Sequence, residues 1–308
     1  MELVRYEFPW KPLVVAPLGD IQWNGDPHEI AFDHLRRHID TAMEKGAWFL
    51  GMGDYIDFMS PSNRTRLVGA DLYDGPVKAI DDKAMDLTTT LYERLLKPTK
   101  GRWLGLLEGH HFAQLQAGDT TDMRLCQMLG APFLGTSAYV CLSLQVQPRP
   151  SPQSGGSACA VYLWCHHGQG AGRAHAPILK LENLTPYWDA DVFLMGHQTK
   201  MATAPIDRCY PVFKGRNAGR LKHRKIYLVG TGGWSKGYIE GAKHGQVPRG
   251  GYVERKMLNP VSLGAPFIYI TPKHSHQVNR KRVTMPDGAR VDVHPIESHM
   301  EVNITVEV

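Results

Sequence analysis

Short apolar runs, each ending abruptly in polar or charged residues, recur along this chain. Leu13-Val14-Val15-Ala16-Pro17-Leu18-Gly19 leads into Asp20, Trp48-Phe49-Leu50-Gly51-Met52 into Gly53-Asp54, and Trp103-Leu104-Gly105-Leu106-Leu107 into Glu108-Gly109-His110-His111. Runs of this length predict strands buried on both faces. Between them lie amphipathic stretches. Residues 26–45, with Ile30, His34, Ile39 and Ala42 near helical spacing, predict one helix, and Val77 to Leu96, stopped by Pro98, a second. Further strands are expected at 139–146, 158–164 and 191–195, the last two each ending close to a histidine. The alternation predicts an α/β fold whose successive strands deliver their polar ends to one edge.

After Lys200 the pattern becomes β-rich and glycine-rich, with 225–229 and 267–270 the clearest strands. Residues 300–308 alternate as a half-buried strand does, to pair either with the sheet or with another subunit in a homodimer. Gly230-Thr231-Gly232-Gly233 follows a strand as a phosphate loop would. It lacks the Lys-Ser/Thr ending of such a loop and reads as a tight turn near the active site. Residues 147–156, rich in Pro, Ser and Gly, read as a loop between neighbouring strands. The chain divides into a core over 1–204 and a basic, β-rich part over 205–308 that completes the second sheet and covers the cleft. Both parts are expected to form one structural unit.

Composition narrows the class. Hydrophobic residues at 43% and charged residues at 21% fit a globular chain, and 308 residues suffice for a sizeable core. No run approaches 18 apolar residues, so no membrane span is expected. The N-terminus lacks the basic start and apolar run of a secretory signal. Five cysteines (Cys126, Cys141, Cys159, Cys165, Cys209) without a C-x-x-C pair argue against a disulfide framework or thiolate zinc site and for a reducing compartment. Most are expected in the core, Cys165 in particular.

The net charge of +5 conceals an asymmetry: 16 Lys and Arg against two acids between Arg208 and Arg282, a local excess of +14. Such a segment attracts polyanions and can follow a phosphate backbone, or it is a solvated face offsetting the acidic remainder. Arg216, Arg220, Lys222, Arg224 and Lys236 are the candidate nucleic-acid contacts. Trp234, Tyr238 and Tyr252 lie among them, either as stacking partners for bases or as core.

Five segments at predicted strand ends carry oxygen and imidazole donors in order: Asp20-Ile21-Gln22, Gly53-Asp54-Tyr55-Ile56-Asp57, Gly109-His110-His111, His166-His167-Gly168 and Gly196-His197-Gln198-Thr199. Carboxylates and imidazoles gathered at strand ends are what a hydrolytic metal centre requires. Each alone has a plainer reading, since a lone Asp after a strand commonly caps a turn or helix. The order resembles the calcineurin-like metallophosphoesterase family, whose pattern runs D-x-H, GD-x-x-D, GNH-D/E, H, GH-x-H. The resemblance implies a four-layer α/β sandwich, two mixed β-sheets flanked by helices, with two divalent metals per chain at the strand-end loops. Manganese is the expected metal, with zinc, iron and magnesium as alternatives.

The family's positions carry over residue by residue. Asp20 matches the aspartate that opens the first metal site, and Asp54 the bridging carboxylate, binding two cations through its two oxygens. His197 matches the first histidine of GH-x-H, and His167 the isolated histidine ligand, with His166 its close rival. His110 replaces the asparagine of GNH. Gln22 and Thr199 replace the two histidines that complete the first site; a glutamine carbonyl binds a hard cation, whereas a threonine hydroxyl is a poor ligand. The second site, Asp54, His110, His167 and His197, suits zinc, iron or manganese. The first, Asp20, Gln22 and Asp54, suits manganese or magnesium. Asp57 is a further candidate, because purple acid phosphatases bind metal there through a tyrosine. His111 matches the histidine that faces the leaving group, the catalytic general acid. Phe112 stands where the family places the acid that orients it, so Asp57 or Glu108 must substitute.

The implied reaction is in-line attack of metal-activated hydroxide on phosphorus. Tyr55-Ile56-Asp57 resembles the GDYVD stretch of protein serine/threonine phosphatases, but Phe58-Met59 replaces the Arg-Gly that follows there, removing an anchor for a monoester dianion. With the basic C-terminal third, this favours a phosphodiesterase or nuclease acting on DNA or RNA, nearest the break-repair nuclease branch. The stretches 232–238 and 260–264 also resemble metallophosphoesterase-like proteins of phages and prophages, which implies a bacterial cytoplasm. Two other readings remain. One is a catalytically degenerate member that binds nucleic acid or a partner without turnover, favoured by Gln22, Thr199 and Phe112. The other is a hydrolase of small nucleotides or other small phosphoesters.

Overall fold

The apolar runs assemble into two mixed β-sheets in a computed structural model, which describes residues 1–70, 72–146, 158–170, 176–212, 220–244, 246–255, 257, 260, 263–278, 281–286, 288–293 and 296–308. In chain order the first half comprises β1 (Glu2–Pro9), β2 (Leu13–Leu18), α1 (Phe32–Glu44), β3 (Trp48–Gly51), α2 (Pro61–Val68), α3 (Asp74–Leu91), β4 (Trp103–Leu106), α4 (Thr121–Leu129) and β5 (Ser137–Gln145). The second half comprises β6 (Ala158–His166), α5 (Ala176–Glu182), β7 (Val192–Met195), β8 (Met201–Val212), β9 (Arg220–Thr231), β10 (Lys243–His244), β11 (Val247–Pro248), α6 (Tyr252–Arg255), β12 (Phe267–Val278), β13 (Lys281–Thr284), β14 (Arg290–Val293) and β15 (Ile296–Glu307). The larger sheets run β1-β5-β6-β7-β9-β8 and β15-β12-β2-β3-β4, and two small hairpins pair β10 with β11 and β13 with β14.

The three strands read first from the sequence, β2, β3 and β4, are mutually parallel. In the other sheet β6, β7 and β9 are parallel. Parallel strands need cover on both faces, which is why β2, β3, β4 and β7 are uniformly apolar. Val15, Leu50 and Leu104 from one sheet meet Val140, Leu142, Leu163, Val192 and Val229 from the other in a single buried cluster. The opposite face of β2–β4 packs on α1 and α4 through Ala16, Phe49, Leu35, Ile39 and Leu125. Helix α5 covers the outer face of β7 and β9 through Leu181, Phe193 and Leu228. Among the described residues no helix is long and apolar enough to cross a membrane.

Several boundaries differ from expectation for local reasons. The first helix begins at Phe32 rather than 26, because the side chains of Asn24 and Asp26 accept the backbone N–H groups of Asp26 and His28 and hold that stretch as turns. The second ends as an α-helix at Leu91 and continues as a wider turn in which Lys97 N–H reaches Tyr92 O, ahead of Pro98. Strand β1, not foreseen, runs parallel to β5 at the sheet edge. The alternating C-terminal run lies in β15 and pairs with β12 of the same chain. Residues 205–308 feed both sheets, through β8 and β9 in one and β12 and β15 in the other. The loop expected at 147–156 falls outside the described residues. All five cysteines are free; Cys126 and Cys165 are buried, whereas Cys209 is exposed.

Trp234 is core rather than a stacking surface, at 1% exposure, whereas Tyr238 is exposed. Beside Trp234, His38 of α1 stacks on Phe267, with ring centroids 4.6 Å apart and planes at 15°. Its Nε2 is buried without a hydrogen-bond partner. Burial lowers the His38 pKa to about 4. Unfolded, this imidazole titrates near 6.5, so the unfolded chain binds a proton that the folded chain refuses between those values. The stability that neutral His38 supplies is therefore complete above pH 6.5 and is lost as pH falls toward 4. Urea unfolding at pH 7 and pH 4.5 should show the wild type losing up to about 3 kcal/mol more than His38→Phe on acidification. Parallel losses in the two proteins would contradict this.

Candidate metal centre

The C-terminal ends of the parallel strands in both sheets open onto one rim. Asp20 follows β2, Asp54 follows β3, His110 and His111 follow β4, His167 follows β6, and His197 follows β7. Five of these strand-end residues hold left-handed backbone: Asp20 (φ 48°), Gln22 (52°), Asp54 (54°), His197 (62°) and Thr199 (47°). Among the described residues the only other non-glycine case is Met257. Each such residue costs roughly 1–3 kcal/mol, and strain of this kind persists where surrounding structure over-determines it. Adjacent backbone bonds do so here: Asp20 N–H to Gly53 O at 2.9 Å, Gln22 N–H to Asp54 O at 2.9 Å and Trp234 N–H to Asp20 O at 3.1 Å. Gly109 is required for close approach, because a Cβ there would strike the backbone and carboxylate of Asp54.

Two groups of donor atoms result, one of His110, His167 and His197, the other of Asp20, Asp54 and His167. Asp54 Oδ1 accepts the backbone N–H groups of His110 and His111, the latter at 3.0 Å. That leaves Oδ2, 3.3 Å from His167 Nε2, so a bridge between cations would pass through one oxygen and not through two as expected from sequence. His167 Nδ1 donates to Met52 O at 2.6 Å, which directs Nε2 into the cluster as a ligand nitrogen requires. Asp20 Oδ2 accepts His197 N–H at 2.9 Å. His110 Nδ1 and His197 Nδ1 lie 3.2 Å apart. Asp20 Oδ1, Asp54 Oδ2 and His167 Nε2 are buried without hydrogen-bond partners. Orphaned donors of these types converging in the interior fit a divalent cation, and the imidazole-rich set suits zinc, iron or manganese.

The electrostatics agree. Burial raises the Asp20 carboxyl to about 7, against the pull of His167. Burial also opposes charge on Asp54, but contact with His167 and the field of His111 hold this carboxyl well below the usual range. For His167 burial favours the neutral ring, yet Asp54 and Asp20 outweigh it and raise the imidazole to about 9. Burial, reinforced by His167 and His110, lowers His197 to about 4. A cation bound here would displace one proton from His167 and would find the His197 lone pair free.

The remaining candidates separate clearly. His166 turns away: its Nδ1 accepts Gly168 N–H at 2.7 Å and its ring stacks on Trp164. Gln22 Oε1, the atom expected to bind metal, accepts the Ser235 hydroxyl at 2.7 Å. Thr199 and Asp20 both flank Gly233, whose Cβ would lie 3.0 Å from Thr199 Cβ and 3.2 Å from Asp20 Cβ. Asp57 is not among the grouped donors; its Oδ1 meets His111 Nδ1 at 2.7 Å, the contact expected of a residue that orients this ring. His111 Nε2 then stands 4.0 Å from Asp54 Oδ2. Despite burial, the Asp57 hydrogen bond and Asp54 raise the His111 pKa.

Of the basic candidates, those on β9 start from backbone positions away from this cluster. Arg224 is bonded to both Asp189 and Asp191, seven residues before Thr231, or roughly 23 Å along β9 from its site end. Arg220 and Lys222 lie farther along the same strand, and Arg216 falls outside the described residues. Lys236 alone adjoins the site, one residue after Ser235, with its N–H on Glu29 O at 2.9 Å.

Two residues that hold the His110–His111 turn had no sequence signal. Asp122 of α4, fully buried, accepts Gly109 N–H at 3.0 Å, and burial raises its carboxyl to about 7. Arg64 of α2 donates from Nη1 to Met59 O (2.9 Å), His110 O (2.6 Å) and Phe112 O (2.9 Å), with its guanidinium 3.9 Å over the Phe112 ring. Hydrogen bonds from a charged donor contribute roughly 1.5–3 kcal/mol each, though not additively. Replacing Arg64 with Leu should therefore destabilise the protein by about 3 kcal/mol in urea unfolding. A loss under about 0.5 kcal/mol would remove Arg64 from this role.

No protein-family model matches this chain and no curated protein is detectably similar to it, so what the centre can do is argued from its own donors.

Proposed function

We propose that this protein is a metal-dependent phosphoesterase of the calcineurin-like type, acting on the phosphodiesters of DNA or RNA. The observation that carries the reading is the pair of donor groups, Asp20 and Asp54 on one side and His110 and His197 on the other, that meet at buried His167 beside a partly exposed, Asp57-bonded His111. Two mixed sheets with helices outside and donors at the strand ends support the same architecture. A divalent cation at such a cluster polarises a phosphoryl oxygen and acidifies a water.

The chain's own residues supply the rest. Asp57 fixes the His111 ring through Nδ1 and leaves Nε2, on the side facing Asp54, to give its proton to the departing alkoxide. Asp54 holds the His111 backbone in place at the same time. Diesters are favoured over monoesters because Phe58-Met59 leaves no arginine after Asp57 to neutralise a dianion. Lys236 at the rim, within the strongly basic C-terminal third, supports a polyanionic substrate.

The test is hydrolysis of bis(4-nitrophenyl) phosphate, 4-nitrophenyl phosphate and labelled single- and double-stranded oligonucleotides by manganese-loaded protein. Diester cleavage is expected to dominate. His111→Ala should lower kcat by roughly 10²–10⁴-fold with metal content unchanged. A general acid acts while protonated, so activity falls as pH rises through the His111 pKa. Asp57→Asn removes a contact that raises this pKa and should move the alkaline limb of the kcat profile to lower pH. Oligonucleotide binding without cleavage would replace this reading with the degenerate one.

A further inference from the structure

We infer that the centre holds one divalent cation per chain, bound by the His110, His167 and His197 group with Asp54 Oδ2 beside His167 Nε2, and not the pair that the family resemblance implies. The two groups of donors share one residue, His167, whose Nε2 lies 3.3 Å from Asp54 Oδ2. The ring's other nitrogen is spent on Met52 O, so a single lone pair is on offer, and it serves one cation. Without it the Asp20–Asp54 group is poor in donors. Asp54 Oδ1 accepts two backbone N–H groups, which leaves Oδ2, and Asp20 Oδ2 accepts the His197 N–H, which leaves Oδ1 as its one unengaged oxygen. Gln22 Oε1 is taken by Ser235, and Thr199 offers a neutral hydroxyl. Two protein oxygens fall short of the four ligands of a zinc site, and a magnesium or manganese ion there would need water for most of its roughly six.

The histidine side has no such shortage. Ligands on one tetrahedral ion with bonds of about 2.1 Å lie roughly 3.4 Å apart. The Asp54 Oδ2–His167 Nε2 and His110 Nδ1–His197 Nδ1 separations are 3.3 and 3.2 Å. Asp20 then acts outside the coordination sphere, as the acceptor that positions His197. This inference uses the cluster of the proposed phosphoesterase but not its turnover, so metal count and hydrolysis can fail separately.

The experiment is elemental analysis with low-temperature electron paramagnetic resonance on the full chain, stripped and reloaded with manganese. One ion per chain with the spectrum of an isolated Mn²⁺ is expected, kept in Asp20→Asn and lost in His197→Ala. The double variant Gln22→His/Thr199→His, which restores the two missing imidazoles, should take two ions and show an exchange-coupled spectrum. Two coupled ions in the wild type would overturn the inference, as would loss of the ion in a folded Asp20→Asn protein. A single ion in a folded double variant would overturn the donor shortage as its cause. If the double variant does not fold, the wild-type count decides.

Discussion

Asp54 is the constraint on which the site depends. Its carboxylate sits fully buried at the junction of the two sheets, one oxygen gripping the turn after β4 and the other facing the histidine after β6. Burying one carboxylate costs several kcal/mol unless charge and hydrogen bonds compensate it, and Asp20 is buried beside it. His167 is the main offset to both, and His111 adds to it. A divalent cation at this cluster would add the positive charge that two neighbouring buried carboxylates favour.

The surrounding fold is arranged to keep that cluster in register. Tyr55, on the loop after β3, donates its hydroxyl to Leu107 O and accepts Gly53 N–H, so the β3 and β4 ends are tied across the sheet. Asp122 and Arg64 hold the His110–His111 turn from opposite chemical sides, one accepting its N–H and the other donating to its carbonyls. The second sheet delivers His167 and His197, and Asp20 ties the latter to the first sheet through a backbone bond. Left-handed conformations at Asp20, Asp54 and His197 are the local cost of aiming side chains from two sheets at one point.

Much of this was legible in the sequence because strand and donor are contiguous there. An apolar run followed by Gly-Asp or Gly-His announces both the strand and its chemical end, and β2, β3, β4 and β7 fall on the predicted runs. Pairings across long separations were not legible. Nothing near Gln22 indicates that Ser235, 213 residues away, takes its carbonyl oxygen, or that Arg64 reaches the carbonyl of Phe112. The choice between His166 and His167 needed the strand's facing: alternate residues point to opposite sides, so one ring meets Trp164 and the other the cluster. The placement of the basic segment was not legible for a related reason, since charge counted along the chain does not show that β9 carries Arg224 away from the cluster toward two aspartates.

The most direct measurement is anomalous X-ray diffraction from crystals of the full chain soaked with zinc. The account predicts a strong peak about 2.1 Å from His167 Nε2 and from Asp54 Oδ2, with His110 and His197 turned toward it. A map with no peak there, and with the Asp54–His167 contact unchanged, would contradict a metal centre.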